Sequence, residues 1–127
     1  GNLSTIAQIA DECGDYLDIY SGNDDQVTAL MSLGGKGSIS VLSNILPEVA
    51  HNIAAKYLEG DHAESARLQR EYLDLCNNLF IDVNPIPVKE AMNMMGMNVG
   101  DCRLPLYRMS DDARETLRKS LAKHGLV

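Results

Sequence analysis

Apolar positions are spaced as in a helix, then as in a strand, then as in helices to the end of the chain. Leu3, Ile6, Ala10 and Cys13 form a stripe at steps of three and four, and Asn2 stands where an N-cap belongs. Gly14 follows where a helix C-cap glycine fits. Leu17 to Tyr20 reads as a short strand, Asp24 to Leu33 as a helix capped by Asn23 or Asp24, and Gly37 to Leu42 as a second strand after the stop at Gly34-Gly35. Beyond Leu42 only helical spacing remains. Pro47 and Glu48 suit a first turn, and Val49, Ile53 and Tyr57 lie four apart before Gly60. Asp61 with Glu64 makes a capping-box start. The helix it opens carries Leu68, Tyr72, Leu75, Cys76 and Leu79 on one side, with Ala66, Leu73 and Phe80 beside them. After Pro85 and Pro87, Val88, Ala91, Met92 and Met95 predict a short helix ending at Gly96. Ser110 caps a last helix with Asp111 and Asp112 in its first turn and Lys123 and His124 at its end.

A strand–helix–strand crossover makes parallel strands, and two parallel strands cannot bury their own faces. The chain also opens on a helix start without Met. It therefore reads as the second half of something larger. The αβαβα order with short connections suits a (β/α)₈ barrel or a doubly wound sheet, with the trailing helices as an added layer. A whole barrel takes about 250 residues.

Charge narrows the partners. The 127 residues carry a net charge of −7 and are 45% hydrophobic. That balance disfavours nucleic acid and anionic membrane, and Lys and Arg are scattered among acids without a basic run. No apolar stretch approaches the roughly 20 residues of a membrane span. Cys13, Cys76 and Cys102 are odd in number and far apart, which points to a reducing cytosol and three small buried side chains.

Motifs for chemistry are few. In Gly35-Lys36-Gly37-Ser38 the spacing is wrong for a phosphate loop and the stretch enters a strand, so a helix-to-strand turn is expected. Adjacent acids at Asp24-Asp25 do not alternate as calcium ligands do. His51, His62 and His124 share no metal-ligand spacing and read as helix-surface residues, and Met92, Met94, Met95 and Met97 read as core filler. No metal or cofactor is expected. If the strands belong to a barrel, chemistry sits after their C-terminal ends. That singles out Ser21, Gly22, Asn23 and Asp24, and then Ser43 and Asn44.

Longer segments carry a resemblance. They are Gly1-Asn2-Leu3, Tyr20 to Asp25, Leu33 to Val41, Asn84-Pro85-Ile86-Pro87-Val88-Lys89, Gly96-Met97 and Arg103-Leu104-Pro105-Leu106. With these the chain resembles the C-terminal half of the dihydrodipicolinate synthases, pyruvate-dependent class I aldolases of the N-acetylneuraminate lyase family. The Asn84–Lys89 segment is similar to the synthases and separates them from the neuraminate lyases.

The resemblance implies the C-terminal part of a TIM (β/α)₈ barrel plus an appended C-terminal helical layer. Residues 1–46 would be the last βα units, and 47–127 the final barrel helix and the helical region. It implies a cytoplasmic homotetramer that condenses pyruvate with aspartate semialdehyde on the way to diaminopimelate and lysine. The N-terminal half of the same barrel is an implied partner, because the Schiff-base lysine, tyrosine relay, threonine pair and keto-acid arginine match positions before Gly1. No catalytic residue is expected within the chain, and Lys36 and Lys89 match other positions. Ile39 matches the residue whose backbone carbonyl faces pyruvate. Gly22, Asn23 and Asp24 match the loop near the aldehyde, and Asn84 an asparagine lining the same cleft. From the residues alone, Ile39 is also a plain strand position, and Asn84 could fix the turn before Pro85. Ser38 stands where the family usually has an aliphatic residue, and Asn23 where many members have Asp. Alternatives are another pyruvate aldolase of the wider family, or a non-catalytic helical assembly module.

Overall fold

The computed structural model describes residues 1–127 as two compact units, Gly1–Tyr72 and Leu73–Val127. The first unit runs α1 (Leu3–Cys13), β1 (Tyr20–Ser21), a 3₁₀ turn Asp24–Gln26, α2 (Val27–Ser32), β2 (Gly37–Ser38), a 3₁₀ turn Leu42–Asn44, α3 (Pro47–Leu58) and α4 (His62–Glu71). The second holds α5 (Leu73–Asn78), α6 (Ile86–Met94) and α7 (Asp111–Lys123). The division after Tyr72 keeps α3 and α4 with α2, because they pack on α2 and on each other.

Three caps act where the sequence puts them, but the one expected at Asn23 or Asp24 does not form: Asn23 makes no side-chain cap bond, and the Asp24 carboxylate accepts from Val41 and Leu42 instead. The Asn2 side chain accepts from the Ser4 and Thr5 N–H groups, Asp61 from Glu64, and Ser110 from Ala113. Helix α2 stops because Leu33 is followed by Gly34 at φ +95°. The Gly34 and Gly35 N–H groups then donate back to the Met31 and Leu30 carbonyls, both at 3.1 Å. This paired closure needs the left-handed conformation that glycine takes without a Cβ penalty. The same two-bond closure ends α3, α6 and α7. The Gly35–Ser38 stretch is thus the expected helix-to-strand turn.

The two strands are parallel, with Tyr20 beside Gly37 and Ser21 beside Ser38. They make the whole sheet, and α2 is the crossover between them. They are shorter than the apolar runs suggest. Lys36 N–H reaches the Ile19 carbonyl and Ile39 N–H the Ser21 carbonyl, each at 2.8 Å. Past that point the Asp24 carboxylate takes the Val41 and Leu42 N–H groups and the chain turns away. Behind the strands Val27, Met31 and Ile53 form a core with Val49, Ala54, Tyr57 and Leu68 packed against it. The α1 stripe has no buried residue.

The single helix expected from Asp61 to about Phe80 is broken at Tyr72 (φ −101°, ψ 11°). Helix α4 turns Ser65 and Gln69 into the first unit's interior, while α5 buries Leu75 and Cys76 in the second. The second unit closes α7 over α5 and α6, burying Leu79, Ile86, Ala91, Leu117 and Leu121. Three expectations fail on burial. Met92, Met94 and Met95 are half-buried and Met97 is exposed, because they line the end of a short helix and not its inner face. Cys13 and Cys102 are half-buried, and only Cys76 is a core residue. His124 is not a surface residue: it folds inward onto Asp74, with its side chain 7% exposed. No helix is long and apolar enough to cross a membrane.

Candidate functional site

Because the strands are parallel and in register, their following loops lie at one end of the pair. Ser21 is buried at the end of β1. Its Oγ donates to the Asn23 carbonyl (2.8 Å) and accepts from the Asn23 N–H (3.2 Å). This closes a tight turn over Gly22, which is exposed and has open space where a Cβ would stand. Asn23 follows, half-buried and extended. Across from the turn, Ile39 sits one residue past β2 and is 77% exposed. The register therefore brings Gly22, Asn23 and Ile39 together.

Asp24 behaves differently from its neighbours. It is 4% exposed, and its Oδ2 accepts from Val41 N–H (2.9 Å) and Leu42 N–H (2.8 Å). Its backbone carbonyl accepts from Gln69 Nε2 (2.7 Å), and Gln69 Oε1 accepts from Thr28 N–H (3.2 Å). Thr28 Oγ1 lies 3.0 Å from Ser65 Oγ, which donates to the Ile53 carbonyl at 2.6 Å. Every buried side-chain polar atom has a partner. Thr28, Ser65 and Gln69 drew no attention in the sequence. Their signal was two polar residues four apart on the inner face of α4, where an apolar stripe was expected.

Ser43 and Asn44, the other loop residues singled out, are taken up locally. Ser43 N–H donates to Ser40 Oγ (2.9 Å), Ser43 Oγ to the Ser40 carbonyl (2.9 Å), and Asn44 Nδ2 to the Val41 carbonyl (3.0 Å). Lys36 is exposed in the turn before β2.

Asn84 belongs to the second unit. It is exposed, and its peptide bond to Pro85 is cis. Elsewhere in this unit α6 and the loop 100–109 line an open pocket of about 370 Å³. Lys89 and Asn93 border it, donating to the Asp101 and Gly100 carbonyls (2.8 and 3.1 Å), and Arg108 pairs with Asp101 (3.0 Å). In the same unit Asp74 binds Ser120 Oγ (2.9 Å), His124 Nε2 (2.9 Å) and Lys123 Nζ (3.1 Å). Burial raises the Asp74 pKa, but the hydrogen bonds from His124, Lys123 and Ser120 outweigh it and hold the pKa at about 2. This cluster ties α7 to α5. No three His, Cys, Asp or Glu side chains are grouped as metal ligands would be.

A sequence model of the Dihydrodipicolinate synthetase family matches residues 1–124. The chain belongs to that family. Over all 127 residues it is 54% identical to the 4-hydroxy-tetrahydrodipicolinate synthase of Clostridium perfringens strain SM101, covering 44% of that protein. It is 52% identical over 126 residues to the synthase of Caldicellulosiruptor bescii, covering 99% of the chain and 42% of the relative. The crystal structure of dihydrodipicolinate synthase from Aquifex aeolicus superimposes with a TM-score of 0.93 at 38% identity, over 98% of this chain and 43% of that one. The chain thus spans less than half the length of these family members.

Proposed function

We propose that these residues form the last strand–helix units and the helical layer of a (β/α)₈ barrel lyase. The enzyme condenses pyruvate with aspartate semialdehyde to 4-hydroxy-tetrahydrodipicolinate, in lysine and diaminopimelate biosynthesis. The observation that carries this reading is the family match across residues 1–124, on a chain with one parallel βαβ unit. The sheet's open sides support the barrel. A groove of about 450 Å³ lies between β2 and α3, lined by Ser38, Ala50, Ala54 and Leu58. A hollow of about 190 Å³ lies beside β1, lined by Ile6, Ile9 and Ile19. Both are mostly apolar, as a surface that a neighbouring strand and helix cover would be, although Lys36 and His51 also line the groove.

In this reading the amine that forms the Schiff base comes from the other half of the barrel. It condenses with the ketone of pyruvate, and water leaves. The chain supplies the Ile39 backbone carbonyl toward the keto acid and the Gly22–Asn23 turn toward the aldehyde. Asn84 is assigned to aldehyde handling by its place in the Asn-Pro-Ile-Pro-Val-Lys segment. The enzyme works as a homotetramer in the cytoplasm, a compartment in keeping with cysteines that form no disulfide.

Borohydride trapping tests the reading. An ordinary lysine is neutral only about once in a thousand at pH 7, so an iminium needs a specially placed amine. The chain alone, given pyruvate and borohydride, should gain no reduced pyruvyl adduct. Adding the other half of the barrel should restore labelling, mapped outside residues 1–127. A stoichiometric adduct on Lys36 or Lys89 would overturn the assignment. Failure to label the combined halves would favour a non-catalytic assembly role.

A further inference from the structure

We propose that Asp24 is a positioning residue for the keto-acid side of the site and does not touch a substrate. The inference rests on the pyruvate-dependent reading above, and reassigns one residue of the loop near the aldehyde.

The Asp24 carboxylate grips backbone N–H groups. One oxygen takes two successive backbone N–H groups, Val41 at 2.9 Å and Leu42 at 2.8 Å. These are donors that a continuing strand would have paired, and Leu42 opens the 3₁₀ turn. Ile39 lies two residues before this grip. On its other side its own N–H is held by the Ser21 carbonyl at 2.8 Å. The Ile39 backbone is therefore bracketed by Ser21 at the end of β1 and by Asp24 in the turn that follows it, both 4% exposed. The end of one strand and its following turn thereby set the direction of the carbonyl that follows the other strand.

Asp24 is itself fixed. Gln69 from α4 holds its carbonyl at 2.7 Å and the Thr28 N–H at 3.2 Å, so the first turn around α2 is locked to a helix elsewhere in the unit. Swinging the carboxylate toward a ligand would leave the Val41 and Leu42 N–H groups unpaired, and Leu42 is buried. Asp25, next in the chain, is exposed and is the carboxylate a ligand could reach without that loss.

The test uses an enzyme of full family length that carries these residues. Misplacing a reacting geometry by about 1 Å costs up to roughly a hundredfold. Asp24→Asn, which keeps one acceptor, should therefore lower kcat/KM for pyruvate roughly tenfold. It should slow borohydride trapping in parallel and leave KM for aspartate semialdehyde within about twofold, since no substrate contact is lost. Gln69→Met should act in the same direction with a smaller effect. In amide NMR the Val41 and Leu42 N–H resonances should move upfield in Asp24→Asn. This readout is independent of turnover. If the unaltered enzyme traps no pyruvate, the activity reading fails while the amide shifts still decide whether Asp24 grips the segment. A rise in aldehyde KM with pyruvate kinetics intact would overturn the proposal, and so would unmoved Val41 and Leu42 resonances. Equal losses in both substrates for Asp24→Asn and Gln69→Met would reduce Asp24 to a purely structural part and also overturn it.

Discussion

Replacing Asp74 by asparagine should weaken the second unit in a way that vanishes in acid. Asp74 holds Ser120, His124 and Lys123 on α7 through hydrogen bonds of 2.9, 2.9 and 3.1 Å. They carry its pKa from 3.8 down to about 2. At about 1.4 kcal/mol per pH unit, that displacement corresponds to about 2.5 kcal/mol for a fully shielded carboxylate. The Asp74 side chain is 33% exposed. Solvent screening therefore brings the expected contribution to about 1 kcal/mol. A depressed carboxylate pKa stabilises fully above pH 3.8 and ceases to do so as pH falls through about 2. Urea titrations followed by helical circular dichroism, at steps from pH 6 to pH 2, should show Asp74→Asn about 1 kcal/mol less stable near neutrality, with the gap closing below pH 4. Asp74→Ala should cost more near neutrality, about 2–3 kcal/mol, because Ser120 Oγ and the buried His124 ring lose their acceptor outright. A gap that is absent at pH 6, or that persists undiminished at pH 2, would refute the idea that the charge clasps α7 to α5.

Two further outcomes follow from the same structure. Tyr16, Leu17 and Ile39 are exposed and both edges of the two-stranded sheet are unpaired, so the chain alone should sediment as dimers or larger species while keeping strong helical dichroism; a sharply two-state monomer would contradict this. In an enzyme of full family length, Asn84→Ala should raise the aldehyde KM several-fold more than the pyruvate KM; equal falls in Schiff-base formation and condensation, or no change in either, would remove Asn84 from the site.

What the sequence determined by itself was local or shared with a family. Asn2, Asp61 and Ser110 were readable as caps because each bonds an N–H two or three residues away. Gly34, Gly60, Gly96 and Gly125 were readable as stops because a left-handed residue ends a helix wherever it falls. The parallel pairing followed from the crossover, and family membership from whole segments such as Asn84–Lys89. Tertiary structure decided the rest, because the interactions join residues far apart in the chain. Strand β2 ends early because a carboxylate 17 residues before Val41 captures its N–H. Gln69 reaches back 45 residues to Asp24, and His124 reaches 50 to Asp74. A helical period cannot announce a break at Tyr72 when apolar residues continue on both sides of it, since the break comes from α4 and α5 burying their faces in different units. Nor can it distinguish Asp24 as a ligand from Asp24 as a brace: both uses call for the same carboxylate after β1, and only the path of residues 39–42 fixes which groups it meets.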